Sequence, residues 1–183
     1  MRAFASFELI VCWAVWCSIP LFRAPLRQNR PSVTATPPTI AGLLLELASY
    51  AVALGWRAPQ PAEQWRLVAS MVIAPGAVVL FWNAVAHLGK QFRIRAGLYI
   101  DHQLVRTGAY AYVRHPIYAS MLGMLLATSL LATAWPAFAL SLVLFVAGTE
   151  IRVHTEDALL AARFQGEFAA YKKAVPAYIP FVR

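Results

Sequence analysis

Ionisable side chains are scarce in this chain: Asp, Glu, Lys and Arg make up only 13% of it. Eight groups capable of chemistry nevertheless fall in two short stretches. Asp101, His102, Arg114 and His115 form the first, and Arg152, His154, Glu156 and Asp157 the second. Arginine can grip an anion through a bidentate fork, while carboxylates and imidazoles can hold or move protons. A dense ionisable cluster in so apolar a chain is where a binding site is sought. His102, His115, His154 and Glu156 are metal-ligating types, but four His and two Cys inside an apolar run argue against zinc, and no metal is expected. The patterns G-x-S-x-G, G-x-x-x-x-G-K-[ST], H-E-x-x-H and G-x-G-x-x-G are missing, so a soluble dinucleotide-binding module is not encoded. Residue types alone lead to a lipid-accessible site of mixed charge at a membrane interface, and no further.

These residues also have plainer readings. His115 before Pro116 fits a helix cap, and Arg114 fits a membrane anchor. Tyr110, Tyr112 and Tyr118 fit an interfacial aromatic belt. Arg152 and Glu156 are spaced as an i,i+4 pair on a helix surface, as are Arg163 and Glu167.

The elements that must position the two stretches are membrane helices. The 183 residues are 60% hydrophobic, with a mean hydropathy of +0.58, against a usual charged share of about 25% in soluble domains. Five apolar runs meet or approach the roughly 20 residues needed to cross a bilayer: 3–22, 39–56, 67–88, 116–133 and 135–151. The first is read as a retained span, since no small-x-small cleavage site follows it. The last two are separated by so few residues that a tight antiparallel hairpin is expected. It returns the chain to the same side and lets the two polar stretches meet. Cys12 and Cys17 lie within the first run and read as small apolar residues.

The basic residues sort by this topology. Thirteen of the sixteen Lys and Arg fall after spans one, three and five; Arg2, Arg57 and Arg66 fall on the other side. The positive-inside rule then puts the N-terminus outside and the polar stretches in the cytoplasm. It also explains the net charge of +8 through anionic headgroups, so nucleic acid is not expected as a partner. Beyond 151, Leu160, Phe164, Phe168 and Tyr171 recur at helical spacing and predict an amphipathic helix over 152–173, ended by Val175-Pro176. Glu46 lies at the centre of the second apolar run, where packing and functional roles are equally open. The expected fold is all-α: a polytopic integral membrane protein with about five transmembrane helices. It has a cytoplasmic polar loop and a C-terminal amphipathic helix, in a single membrane-embedded domain over 1–183. Three spans occupy 1–89, and the half carrying both ionisable stretches is 90–183.

Residues 102–118, His-Gln-Leu-Val-Arg-Thr-Gly-Ala-Tyr-Ala-Tyr-Val-Arg-His-Pro-Ile-Tyr, carry a Leu-Val segment leading to G-x-Y and R-H-P-x-Y. Further on come Arg152, Glu156-Asp157, Phe164, Glu167, Tyr171-Lys-Lys, Val175-Pro and Ile179-Pro-Phe181. Together, over about 87–183, these resemble the isoprenylcysteine carboxyl methyltransferase family and its phospholipid-methylating relatives. Asp157 stands where the family has a second Glu, and Ala109 where Pro or Val is frequent. The resemblance implies an S-adenosylmethionine-dependent methyltransferase acting on a lipophilic or prenylated acceptor, with membrane lipids as surroundings. It implies a cofactor site at His102, Gln103, Leu104, Val105, Tyr110, His115, Pro116, Ile117, Tyr118 and Glu156. Arg152 and Arg114 are implied to bind the acceptor, and Arg152 and Glu156 to be catalytic. Methylation of a lipid amine or thiol, and NADPH-dependent reduction of a lipid double bond, are the competing activities.

Overall fold

The computed structural model is described over residues 1–23, 37–58, 62–92 and 103–180. Five α-helices account for most of these: α1 (Arg2–Arg23), α2 (Pro37–Gly55), α3 (Gln64–Leu88), α4 (Pro116–Ala132) and α5 (Trp135–Ala174). No β-strand occurs among the described residues; a single backbone bridge joins Arg57 and Thr133. The chain is an all-α polytopic membrane protein. α1, α2, α3 and α5 are each long and apolar enough to cross a bilayer. Their outward faces carry Phe7, Ile10, Leu44, Val72, Val79 and Val143, all well exposed, as a lipid-facing surface requires.

α4, expected as the fourth span, is the shortest of the five helices. Its 17 residues reach about 26 Å, short of the roughly 30 Å hydrocarbon core. The carbonyls freed at its C-terminal end are met by protein instead of water. Arg66 Nη2 donates to the carbonyls of Ser129 (3.0 Å) and Thr133 (2.8 Å). The Ala58 N–H donates to the Ala132 carbonyl at 2.8 Å. The Arg66 guanidinium also lies 4.7 Å from the Trp135 ring centroid.

α4 and α5 are joined by only Thr133 and Ala134, as a tight hairpin requires. They nevertheless separate from one another: α4 packs chiefly on α3, and α5 chiefly on α2. Small side chains explain both choices. Ala74, Ala77 and Ala127 allow close approach of α3 and α4 around Met124. Gly42 and Gly148 do the same for α2 and α5: a Cβ built on Gly148 would lie 2.5 Å from the Gly42 carbonyl oxygen. α1 packs against both α3 and α4 with aromatic rings. Trp16 stacks on Phe81 at 4.4 Å, and the indoles of Trp13 and Trp16 donate to Thr128 (3.1 Å) and Ser120 (2.8 Å) on α4.

The separate tail helix expected from residue 152 is the continuation of α5. No proline falls between 137 and 175, so the backbone ladder runs on as the surroundings change from apolar to polar. The change in composition marks a change of solvent, not the end of a helix. The break comes later, at Gln165 (φ 43°, ψ −119°), a conformation that glycine adopts at least cost. Beyond it the amphipathic face is as expected: Phe168 and Tyr171 are buried, while Leu160 and Phe164 before it are half-buried.

Candidate active site

His115 sits immediately before Pro116, the first residue of α4, and its side chain makes no capping bond to that helix. The capping reading fails because the ring has stronger partners. Nε2 lies 3.0 Å from Asp157 Oδ1, and Nδ1 lies 3.4 Å from Glu156 Oε2. Glu156 and Asp157 are consecutive on α5, so their side chains diverge by about 100° around the helix. The imidazole fits between them, one nitrogen to each carboxylate. With both nitrogens facing acceptors, the doubly protonated ring satisfies the site best.

Each carboxylate is tied down again by its other oxygen. Asp157 Oδ2 receives Arg114 Nη2 and Lys172 Nζ, each at 3.0 Å, and Glu156 Oε1 receives the Tyr118 hydroxyl. Arg114 Nη1 reaches the carbonyls of Lys172 and Val175. The backbone locks the same junction: Arg114 N–H donates to the Pro176 carbonyl (2.8 Å) and His115 N–H to that of Ala177 (2.7 Å). Tyr178 packs with Tyr118 and Val153 and donates to Glu150 at 2.8 Å. The proline-rich tail after α5 is thereby folded back under the start of α4.

Burial lowers the pKa of His115, but hydrogen bonds and charge from Asp157 and Glu156 outweigh it, leaving it raised above the ordinary 6.5. A raised folded pKa means that the folded state holds the proton more tightly. Its contribution to stability is complete below about pH 6.5 and is lost as pH rises through the raised value. The thermal midpoint in detergent should therefore fall between mildly acidic and alkaline pH. His115→Gln, measured over the same range, should flatten that slope.

The second wall is a tight turn over Gly108–Ala111. Gly108 has φ +61°, and a Cβ there would come within 2.4–2.5 Å of the His87 ring, so glycine is required twice over. Asn83 Oδ1 accepts the Ala109 N–H (2.7 Å), and the Tyr171 hydroxyl donates to the Tyr110 carbonyl (2.6 Å). Burial, with the Glu156 charge next, pushes the Tyr110 hydroxyl well above its ordinary pKa, keeping it neutral. Arg106 pairs with Glu167 and lies 5.8 Å from the Tyr171 ring centroid.

Arg152 points elsewhere than its spacing predicted. Its Nη1 donates to Glu46 Oε2 on α2 at 2.8 Å, not to Glu156 one turn on, and its guanidinium lies 5.1 Å from the Tyr118 ring centroid. Glu167 likewise takes Arg106 as its partner across the fold. Close approach at Gly42 and Gly148 brings Glu46 within reach, and a buried carboxylate attracts a guanidinium more strongly than an exposed one.

The structure thus gathers Tyr110, Arg114, His115, Pro116, Tyr118, Arg152 and Glu156, all buried except the half-buried Glu156. Glu156 has a side chain 25% exposed and is the carboxylate of this group that is open to a ligand. Ile117, Leu104 and Val105 are half-buried, and Gln103 is exposed with its N–H on Gln91. His102 lies outside the described residues. Tyr112, 77% exposed, takes no part in this cluster. Sequence reasoning gave no role to Lys172, which it saw only as part of a motif, and passed over Asn83 and His87. Lys172 reaches Asp157 only because the chain bends at Gln165, which no spacing rule anticipates.

Among relatives, the chain is similar to the protein-S-isoprenylcysteine O-methyltransferases of Schizosaccharomyces pombe, 40% identical over 83 residues, and Saccharomyces cerevisiae, 35% identical over 86. The aligned stretch is 45% of this chain but only 35% and 34% of those relatives, so the match spans about a third of their length. A family profile matches residues 68–162, from α3 through Arg152, Glu156 and Asp157. The chain belongs to the isoprenylcysteine carboxyl methyltransferase (ICMT) family.

Proposed function

We propose that the protein transfers a methyl group from S-adenosylmethionine to the carboxylate of an isoprenylcysteine-like lipophilic acceptor, at the cytoplasmic face of the membrane. The observation that carries this reading is the coincidence of two regions. The family match at 68–162 covers the two polar stretches that meet around His115. The placement of thirteen of sixteen basic residues on one side of the spans supports the cytoplasmic face and an outside N-terminus.

The donor set fits the cofactor. A sulfonium is a cation, and the half-open carboxylate of Glu156, held in place by the Tyr118 hydroxyl, offers it an anion. Glu156, Ile117 and the backbone of 103–105 would hold the cofactor. His115 and Pro116, both buried, stand behind them, and His115 acts by fixing the two carboxylates. When bound, the cofactor supplies an electrophilic methyl group. Arg152 orients the acceptor's carboxylate, which is already an anion and needs no general base. Catalysis then rests on alignment and on excluding water from an ion pair whose charge vanishes as the methyl moves.

The protein in lipid nanodiscs is expected to move a radiolabelled methyl group from S-adenosylmethionine to N-acetyl-S-farnesylcysteine. Glu156→Gln should weaken cofactor binding by about tenfold to a hundredfold, the scale of one charge-assisted contact. Arg152→Ala should lower transfer about a hundredfold with cofactor affinity unchanged. Calorimetry showing NADPH bound and S-adenosylmethionine not bound would overturn the reading. Unchanged turnover in Arg152→Ala would remove the clamp.

A further inference from the structure

Glu46 is the most deeply buried acid among the described residues, at 0% exposure within α2. Thr149 donates to its Oε1 at 3.2 Å and Arg152 Nη1 to its Oε2 at 2.8 Å. A buried guanidinium has two edges suited to carboxylates, and only part of this one is used. Arg152 Nε is buried and has no hydrogen-bond partner among the described residues. An unmet N–H in this setting carries a desolvation cost that a native fold seldom leaves uncompensated without a function.

We infer that Glu46 is the resident counter-ion of Arg152, holding the guanidinium by Nη1 so that its Nε edge receives the acceptor's carboxylate. The inference rests on the methyl-transfer reading for the identity of the acceptor. Three consequences follow from the charges. Without acceptor, Glu46 neutralises a guanidinium that would otherwise be buried alone. With acceptor, the two carboxylates share one cation, so the acid is held less tightly than an unshared arginine would hold it. In the transfer, an O–CH3 bond forms at the acceptor and an S–CH3 bond of the sulfonium breaks. The electron pair stays on sulfur as a neutral thioether, and no proton moves. The ester formed has lost its charge, Glu46 keeps the guanidinium, and product leaves while substrate does not. Thr149 and the Gly42–Gly148 approach are the features that keep Glu46 aimed.

The test is binding of N-acetyl-S-farnesylcysteine and of its methyl ester to the nanodisc-embedded protein, read by tryptophan fluorescence. Gln at position 46 can still accept from Nη1 but carries no charge. Glu46→Gln should therefore bind the acid about tenfold more tightly and the ester within about twofold of wild type. A residue that merely packs would shift both ligands together. Glu46→Gln/Arg152→Gln, a neutral pair with no buried charge to destabilise it, should lose the preference for acid over ester. A folded Glu46→Gln with an unchanged acid-to-ester ratio overturns the inference. So does a double variant that still prefers the acid, and this second result decides alone if the single variant does not fold. Methyl transfer by the wild type is scored separately. If it is absent while the acid-to-ester ratio shifts as stated, the methyltransferase reading fails and the shared arginine stands.

Discussion

Asp157→Ala is expected to destabilise the protein by about 3–5 kcal/mol, the cost of removing one partner from a buried charge network. The side chain is 5% exposed and is approached by three cations: Arg114 and Lys172 at Oδ2, and His115 at Oδ1. Without it, the Arg114 guanidinium is buried with carbonyls but no counter-charge, and the imidazole keeps only Glu156. The tail is tied to the same junction through Pro176 and Ala177, so the loss should spread to residues 175–178. Equilibrium unfolding in mixed detergent micelles measures the first effect, and hydrogen exchange of the His115 and Arg114 amides measures the second. Asp157→Glu, which keeps the negative charge beside Arg114, Lys172 and His115, should recover most of the stability. A loss below about 1 kcal/mol, the level of an exposed pair, would show that the network is solvent-screened in the membrane.

The second large effect is expected at Gly148. A Cβ there would lie 2.5 Å from the Gly42 carbonyl oxygen, 3.0 Å from Leu45 Cβ and 3.1 Å from the Glu46 nitrogen. Two of these neighbours are backbone, which cannot turn aside as a side chain can. Gly148→Val must push α2 and α5 apart, and overpacking of this kind costs about 1–3 kcal/mol. The separation also pulls Glu46 from Arg152, now 2.8 Å apart, so the total should reach about 3–5 kcal/mol as that buried pair opens. Gly76, where a Cβ would meet nothing within 4 Å, serves as the control: Gly76→Ala should be neutral or mildly stabilising. Equal behaviour of the two variants would mean that the helices do not approach through glycine.

Much of the architecture was legible in the chain because a bilayer leaves little choice. Backbone groups in hydrocarbon must be satisfied within the segment, so long apolar runs become helices, and four of the five expected spans are long enough to cross. α4, at 17 residues the shortest of them, ends where Arg66 meets its last carbonyls, a contact that hydropathy does not count. The start of a separate helix at 152 was read from polarity, although the helical ladder is indifferent to it. Meeting of the 114–118 and 152–157 segments was foreseeable, since two joined helices must bring their far ends to one side.

What the sequence by itself determined is the set of membrane helices, the two ionisable stretches and the motifs that mark the family, all consequences of local composition and spacing. The tertiary structure alone decided the pairing of charges. Arg152 met Glu46 in place of Glu156, Asp157 gathered Lys172 across the Gln165 bend, and His115 turned from its helix to two carboxylates. Charges reach for the partner with which they are buried. Burial depends on helix approach at single glycines and on one bent residue, neither of which leaves a periodic trace in the chain.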